Sequence, residues 1–307
     1  MKTATLRLVM ATCGFICSSA LAQTTVYNDN FASDSALSSS YINMNNISGS
    51  VNEWAFTADT QLQLTTAGSG KLDDLVGSFT PVTLSQAGQY LSFVVNFNSP
   101  NLGQGGTGAA GALLYSLDYS GGVPLGASPE NPTATTGATA GYIGYLGDMA
   151  LNNSPKSATK FHAKTGGATN DISYYSDALP DVQLAVSEPT SSAANLANND
   201  NYTLTYTITA LNAGGTQNQI TASIYDNTLS ALEESFAITA TNSAGTFITP
   251  ATTYDTFDVG IYTGSESSGY DINLTDVSII ASVPEPSTYA LAGVGFGLAL
   301  LARFRRR

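Results

Sequence analysis

Apolar and hydroxylated residues alternate through the middle of the chain. From Tyr202 to Leu211, the residues Tyr202, Leu204, Tyr206, Ile208 and Ala210 fall on one side of an extended backbone, and Thr203, Thr205, Thr207 and Thr209 on the other. Successive side chains of a strand point to opposite faces, so this period of two predicts a strand with one face buried. Asn212-Ala213-Gly214-Gly215 then supplies turn residues, and Ile220, Ala222 and Ile224 alternate with Thr221, Ser223 and Tyr225. Together they predict an antiparallel hairpin. Leu91, Phe93, Val95 and Phe97 predict a strand over Tyr90–Phe97, and Phe257, Val259 and Ile261 predict another. Ile272 and Leu274 open the last one. Val277 and Ile279 are out of phase with Ile272, which predicts a bulge near Asp276. Leu113–Tyr119 and Gly141–Leu146 carry weaker strand patterns. The Gly-, Ser-, Thr- and Asn-rich stretches 98–111, 121–139 and 187–200 read as surface loops. No amphipathic helix of three turns is visible. The expected fold class is all-β, a two-sheet antiparallel β-sandwich over residues 23–282.

The two ends follow other patterns. Lys2 and Arg7 precede a mostly apolar run from Leu8 to Cys17, and Ala20-Leu21-Ala22 offers the small residues that a signal peptidase reads. Residues 1–22 are therefore expected to be a signal peptide, cut between Ala22 and Gln23. At the other end, residues 283–307 open with Val283-Pro284-Glu285-Pro286-Ser287, continue apolar or small from Thr288 to Ala302, and close on Arg303, Arg305, Arg306 and Arg307. Two prolines two residues apart do not fit inside a regular strand or helix, so this segment is expected to be extended and open to an enzyme. The fifteen residues after it reach about 22 Å as a helix, short of the roughly 30 Å hydrocarbon core. Such a transmembrane helix suits a temporary handle, with the arginines held on the cytoplasmic side.

The order of these three parts resembles the PEP-CTERM sorting signal of Gram-negative bacteria. The resemblance implies recognition by an exosortase, cleavage near Pro284-Glu285-Pro286, and a destination at the cell surface or in an extracellular matrix, often with exopolysaccharide. This chain would then be the substrate, with a transient inner-membrane anchor. The β pattern also resembles concanavalin A-like (LamG-like) jelly rolls, through Asn28-Asp29-Asn30-Phe31, Gly77-Ser78-Phe79-Thr80-Pro81 and Tyr270-Asp271-Ile272-Asn273-Leu274. That fold implies that the first and last strands are neighbours.

Charge narrows the function. Between the end signals, four lysines stand against 22 acids, a net charge of −18. Such a surface repels nucleic acid, and no nucleic-acid partner is expected. Cys13 and Cys17 both lie in the leader, so the exported part has neither disulfides nor a cysteine nucleophile. His162, the only histidine, sits among Lys156, Lys160 and Lys164 and reads as a solvated basic loop. No G-x-S-x-G elbow is present, and the adjacent Glu233 and Glu234 would point to opposite faces of a strand. The chain is expected not to be an enzyme, and no cofactor is required. Calcium is the one metal considered: Asp29 near the first strand, with Asp271 and Asp276 near the last, would converge if those strands pair. Carbohydrate contact would use aromatic rings, for which Tyr115, Tyr119, Tyr142 and Tyr145 are the candidates. The expectation is thus a structural or adhesive surface protein associated with exopolysaccharide. A lectin-like module remains the alternative, and a glycoside hydrolase a more distant one.

Overall fold

The computed structural model describes residues 21–31, 41–45, 55–56, 61–66, 72–102, 112–122, 142–150, 160–164, 182–184, 196–241, 245–262 and 270–284. The chain divides into two compact units. One is Gln23–Ser282, and the other joins Met1–Ala22 with Val283–Arg307.

Strands are the only extended regular elements among the described residues. They are β1 (Leu21–Asp29), β2 (Tyr41–Asn45), β3 (Ala55–Phe56), β4 (Leu62–Thr66), β5 (Leu72–Thr83), β6 (Tyr90–Leu102), β7 (Ala112–Tyr119) and β8 (Ile143–Ala150). They continue with β9 (Lys160–Lys164), β10 (Val182–Gln183), β11 (Asn201–Ala210), β12 (Asn218–Asp226), β13 (Ala231–Thr239), β14 (Thr253–Tyr262) and β15 (Tyr270–Pro284). Sheet 1 has the order β13-β12-β11-β6-β15-β4-β3, with β1 also paired to β15; sheet 2 has the order β10-β9-β8-β7-β14-β5-β2. The first and last strands are neighbours, as the jelly-roll resemblance implied.

The hairpin β11–β12 follows the sequence pattern closely. Tyr206 faces Ala222 and Ile208 faces Ile220 across it, and burial alternates residue by residue along both strands. Its turn needs glycine at position 215. Gly215 has φ +63°, and a Cβ there would overlap the carbonyl oxygen of Leu84. In β15 the pairing with β6 shifts between Leu274 and Asp276, so Thr275 is the extra residue of the expected bulge. Its hydroxyl donates to the carbonyl of Asn96 at 3.1 Å, and both Leu274 and Val277 stay in the core.

Three expectations are corrected. The loop placed at 98–111 starts later, because β6 continues to Leu102, paired with β15 out to Tyr270. His162 lies in a strand instead of a solvated loop. Lys160–Lys164 pairs with β8 and β10, with Phe161 and Ala163 in the core and His162 buried on the other face. Lys160, His162 and Lys164 occupy the polar phase of a period of two. Pro284 does not lie outside the strand but closes β15, where its missing N–H ends the ladder without leaving a gap inside it. Ala20, Glu285, Pro286, Ser287, the helix expected over 288–302 and the arginines Arg303, Arg305, Arg306 and Arg307 lie outside the described residues. No helix among the described residues is long and apolar enough to cross a membrane.

The two sheets close on one core, centred on Phe257 of β14. Its ring meets Phe93 of sheet 1 at 5.1 Å, Tyr27 at 5.4 Å, Tyr41 at 6.1 Å and Phe79 at 6.4 Å between centroids. Directly opposite on β5 stands Gly77, where a Cβ would overlap the ring.

Candidate functional site

Three of the four tyrosines proposed for sugar contact are buried. Tyr115 and Tyr145 project into the core between the sheets. Tyr115 packs edge-on against Tyr206 at 5.0 Å, over the space left by Gly147. The Tyr145 hydroxyl donates to the carbonyl of Ile248 at 2.7 Å and accepts from the Asn218 amide at 3.1 Å. Tyr142 is buried beside β8, and burial, followed by the charges of Asp255 and Asp118, pushes its phenol up to about 12. Tyr119 is half-buried at the end of β7. A ring enclosed on all sides cannot stack on a sugar, so the pattern that made these residues strand formers also took them inside.

The carboxylates proposed for calcium separate into a pair and an outlier. Asp29 ends β1, which pairs with the β15 strand that carries Asp276, and its charge helps raise the Asp276 carboxyl. Asp271 stands further along β15, opposite Thr65 and Asn101. Asp29 is already engaged: Oδ1 accepts from the Phe31 amide and Oδ2 from the Tyr41 hydroxyl, each at 2.9 Å. Calcium takes six to eight oxygens. Among the described residues no three Asp, Glu, His or Cys side chains gather as a metal-binding group.

A polar layer lies on the outer face of sheet 2. Asp74, Asp118, Asp148, Asp258, His162 and Lys164 are all buried there. Lys160 stands opposite Asp148, whose Oδ1 accepts the Lys160 backbone N–H at 2.6 Å. Ser116 donates to Asp118, which lies over Gly144 on the row that continues to Lys164. The basic cluster and part of the acidity noted in the sequence therefore share one sheet face.

The outer face of sheet 1 is more accessible and carries a row of amides, hydroxyls and one acid. Asn227 Nδ2 donates to Thr203 Oγ1 at 2.9 Å, and Thr203 donates to Asn96 Oδ1 at 2.6 Å. Asn96 Nδ2 in turn donates to Asp276 Oδ2 at 3.3 Å. One register step away, Asn273 pairs with Gln63 on β4 and Asn98 on β6, and Asn98 with Asn201 on β11. Asn273 is nearly buried, and its Oδ1 accepts no hydrogen bond. Tyr225 stands directly opposite Thr203 with its ring 39% exposed. This places an open aromatic ring at one end of a line of fixed hydrogen-bonding groups. The sequence held the signal: Asn96 and Asn98 occupy the polar phase of the Tyr90–Phe97 pattern, and Tyr225 the polar phase of its own strand.

Asp276 has a measurable consequence. Burial first, and then the charge of Asp29, hold its carboxyl above the usual 3.8, against the opposing hydrogen bond from Asn96. Above pH 3.8 the folded state therefore keeps this proton longer than the unfolded one does. Stability contributed here is lost as pH rises through the folded value. Asp276→Asn is expected to raise the melting temperature at neutral pH and flatten its fall from mildly acidic to neutral pH, as followed by thermal unfolding.

Comparison with known proteins settles the C-terminus. Residues 282–307 match the PEP-CTERM protein-sorting motif. The chain is thus an exported protein sorted at the cell envelope. Solved structures similar to it include basic winged bean lectin with Tn-antigen, at a TM-score of 0.46 and 10% identity over 86% of this chain and 100% of that one. Lectin II from Ulex europaeus aligns at a TM-score of 0.43 and 9% identity over 85% and 100%. The CBM2 module of the Lactobacillus casei BL23 phage J-1 evolved Dit aligns at 0.44 and 12% over 85% and 97%. No curated protein matches the chain.

The PEP-CTERM motif begins on the last residue of the Gln23–Ser282 unit. Ser282 is buried, and its Oγ accepts from the Tyr90 amide at 2.6 Å and donates to the Tyr90 carbonyl at 3.3 Å. No spacer separates the folded sandwich from the motif.

Proposed function

We propose that this exported chain, processed at its C-terminus by an exosortase, is an adhesive protein of the cell surface that holds exopolysaccharide on the outer face of sheet 1. The observation that carries this reading is the exposed Tyr225 beside the hydrogen-bonded row Asn227–Thr203–Asn96–Asp276. A sugar ring offers an apolar C–H face and a rim of hydroxyls. The phenol ring suits the first, and amide and carboxylate groups suit the second. Binding without turnover is the role assigned, with no resident cofactor. Before processing, signal peptidase would cut after Ala22, and the segment after Ser287 would hold the chain at the inner membrane with its arginines in the cytoplasm.

A glycan array probed with Gln23–Ser282, supplemented with purified exopolysaccharides, tests this. Binding is expected, and Tyr225→Ala is expected to weaken it by about 1 kcal/mol, roughly fivefold, with the fold retained. Absence of glycan binding overturns the adhesive role and leaves a purely structural one. Selectivity for a single oligosaccharide would convert the reading into a lectin-like module. Cleavage of any polysaccharide in the panel would refute the non-enzymatic assignment.

A further inference from the structure

The bulge in β15 does more than keep the core in phase. Asn273 and Asp276 are three residues apart, and on a regular strand they would face opposite ways. The extra residue at Thr275 brings both to the outer face of sheet 1, where Asn273 stands opposite Asn98 of β6 and Asp276 opposite Asn96. Ile272, Leu274 and Val277 stay in the core on the other face. Four polar side chains thus form two facing pairs across β6 and β15.

Their hydrogen bonds leave acceptors between the two strands. Asn96 receives the Thr203 hydroxyl on Oδ1, which turns its Nδ2 toward Asp276. Asn98 is turned the other way. Its Nδ2 donates to the Asp200 carbonyl at 3.1 Å and to Asn201 Oδ1 at 3.4 Å, both on the β11 side. The Asp200 carbonyl also accepts the Ser99 amide at 3.3 Å, and Asn199 donates to the Ser99 carbonyl at 2.7 Å, so this turn is fixed against β6. An asparagine amide has two hydrogens. Asn98 therefore has none left for β15, and its oxygen remains on that side. Asn273 is 8% exposed, and its Oδ1 accepts no hydrogen bond. A buried acceptor of this kind is costly, and what would satisfy it is a hydrogen-bond donor.

Charge decides which kind of donor. The eight-stranded sheet 1 contains no Lys, Arg or His in any of its strands. Lys160 and Lys164, the lysines among the described residues, belong to β9 of sheet 2. Asp276 takes a hydrogen bond from Asn96 and feels the charge of a second acid, Asp29. Two amide oxygens beside a carboxyl, on a sheet without a cation in its strands, disfavour uronates, sulfates and phosphates. They suit a protonated amine, which carries three donors and a positive charge.

We infer that Asn273, Asn98 and Asp276 take the ammonium group of an amino sugar, so that the polymer held on sheet 1 is a glycan with free amines. The inference rests on the reading of this face as a polysaccharide-binding surface. Tyr225 lies three strands away along the row through Thr203 and Asn96, and would stack on another ring of the same polymer. Three strand spacings are about 14 Å, more than a single sugar ring covers. The ammonium completes the hydrogen bonding of Asn273 and offsets the charge that Asp29 places beside Asp276.

The test is calorimetric titration of the full chain, in an uncharged detergent, with glucosamine oligomers either fully N-deacetylated or fully N-acetylated, and with a uronate oligomer. Salt at about 0.5 M shortens the general attraction of an acidic domain for a polycation. The deacetylated oligomer is expected to bind about tenfold more tightly than the acetylated one, and the uronate more weakly than either. Asp276→Asn, a change expected to stabilise the fold, should abolish that preference. Asn273→Leu removes the acceptor without leaving a buried polar group, and should reduce the preference severalfold. Glu233→Gln removes the same charge from β13 at the edge of the sheet and is expected to leave the preference as it was. Equal affinity for the two glucosamine oligomers, tighter binding of the uronate, or a loss in Glu233→Gln as large as in Asp276→Asn overturns the inference while the adhesive reading stands. A chain that binds neither these oligomers nor the purified exopolysaccharides defeats that reading, and the inference with it.

Discussion

Phe257→Ala is expected to destabilise the sandwich by about 3–5 kcal/mol, read from the shift of a denaturant unfolding curve. Phe257 is fully buried, and four aromatic rings from β1, β2, β5 and β6 meet it. These neighbours come from both sheets and from the first strand, so the cavity cannot close by moving one element. Loss of the ring removes buried apolar area and leaves a void with rigid walls. Gly77 supplies a control. Gly77→Ala would drive a methyl group into the same ring and is expected to cost about 1–3 kcal/mol by overpacking. In the double variant the methyl group enters the space the ring vacated, so the two losses should add to less than their sum. Strict additivity, or a loss from Phe257→Ala below that from an exposed site such as Leu232→Ala, would show that the core is not organised around this ring.

The PEP-CTERM motif carries the other large effect. In cells with exosortase, surface-released protein is expected to have lost its C-terminal tail, whereas Pro284→Ala/Pro286→Ala should retain mass through Arg307. Intact-mass spectrometry distinguishes the two directly. Pro284 closes β15, and the fold runs into the motif without a spacer. Proline offers no N–H and so cannot donate to a continuing ladder. Alanine restores a donor and permits the strand to continue. Tail loss in the double variant equal to that of the parent chain would remove the prolines from the recognition event.

The elements that were legible before the fold was known share one property. Each has an uninterrupted period of two with a strong apolar phase, as in Tyr202–Ala210 and Tyr90–Phe97, and there local pattern and final burial agree. The bulge at Thr275 was legible for the same reason, because a slip of one residue reverses the phase of everything after it. Lys160–Lys164 was not legible, since its polar phase carries two lysines and a histidine, and burial of such residues depends on what lies across the sheet. Charge suggested solvent; the register with Asp148 and Gly144 decided otherwise.

The proposed binding face shows the same division. Tyr115, Tyr145 and Tyr225 are one residue type on predicted strands, and nothing local says which ring will be enclosed. Phase assigns a side chain to one of two faces. Only the packing of the second sheet makes one face interior, which buries Tyr115 and Tyr145 and leaves Tyr225 open beside Thr203. Destination is different, because the reader of a sorting signal is another protein acting on a short linear segment. The prolines, the apolar run and the arginines therefore carry that information without any fold. The row from Asn227 to Asp276 joins residues up to 180 positions apart. It exists only because β11, β6 and β15 lie side by side, an arrangement set by long-range strand pairing.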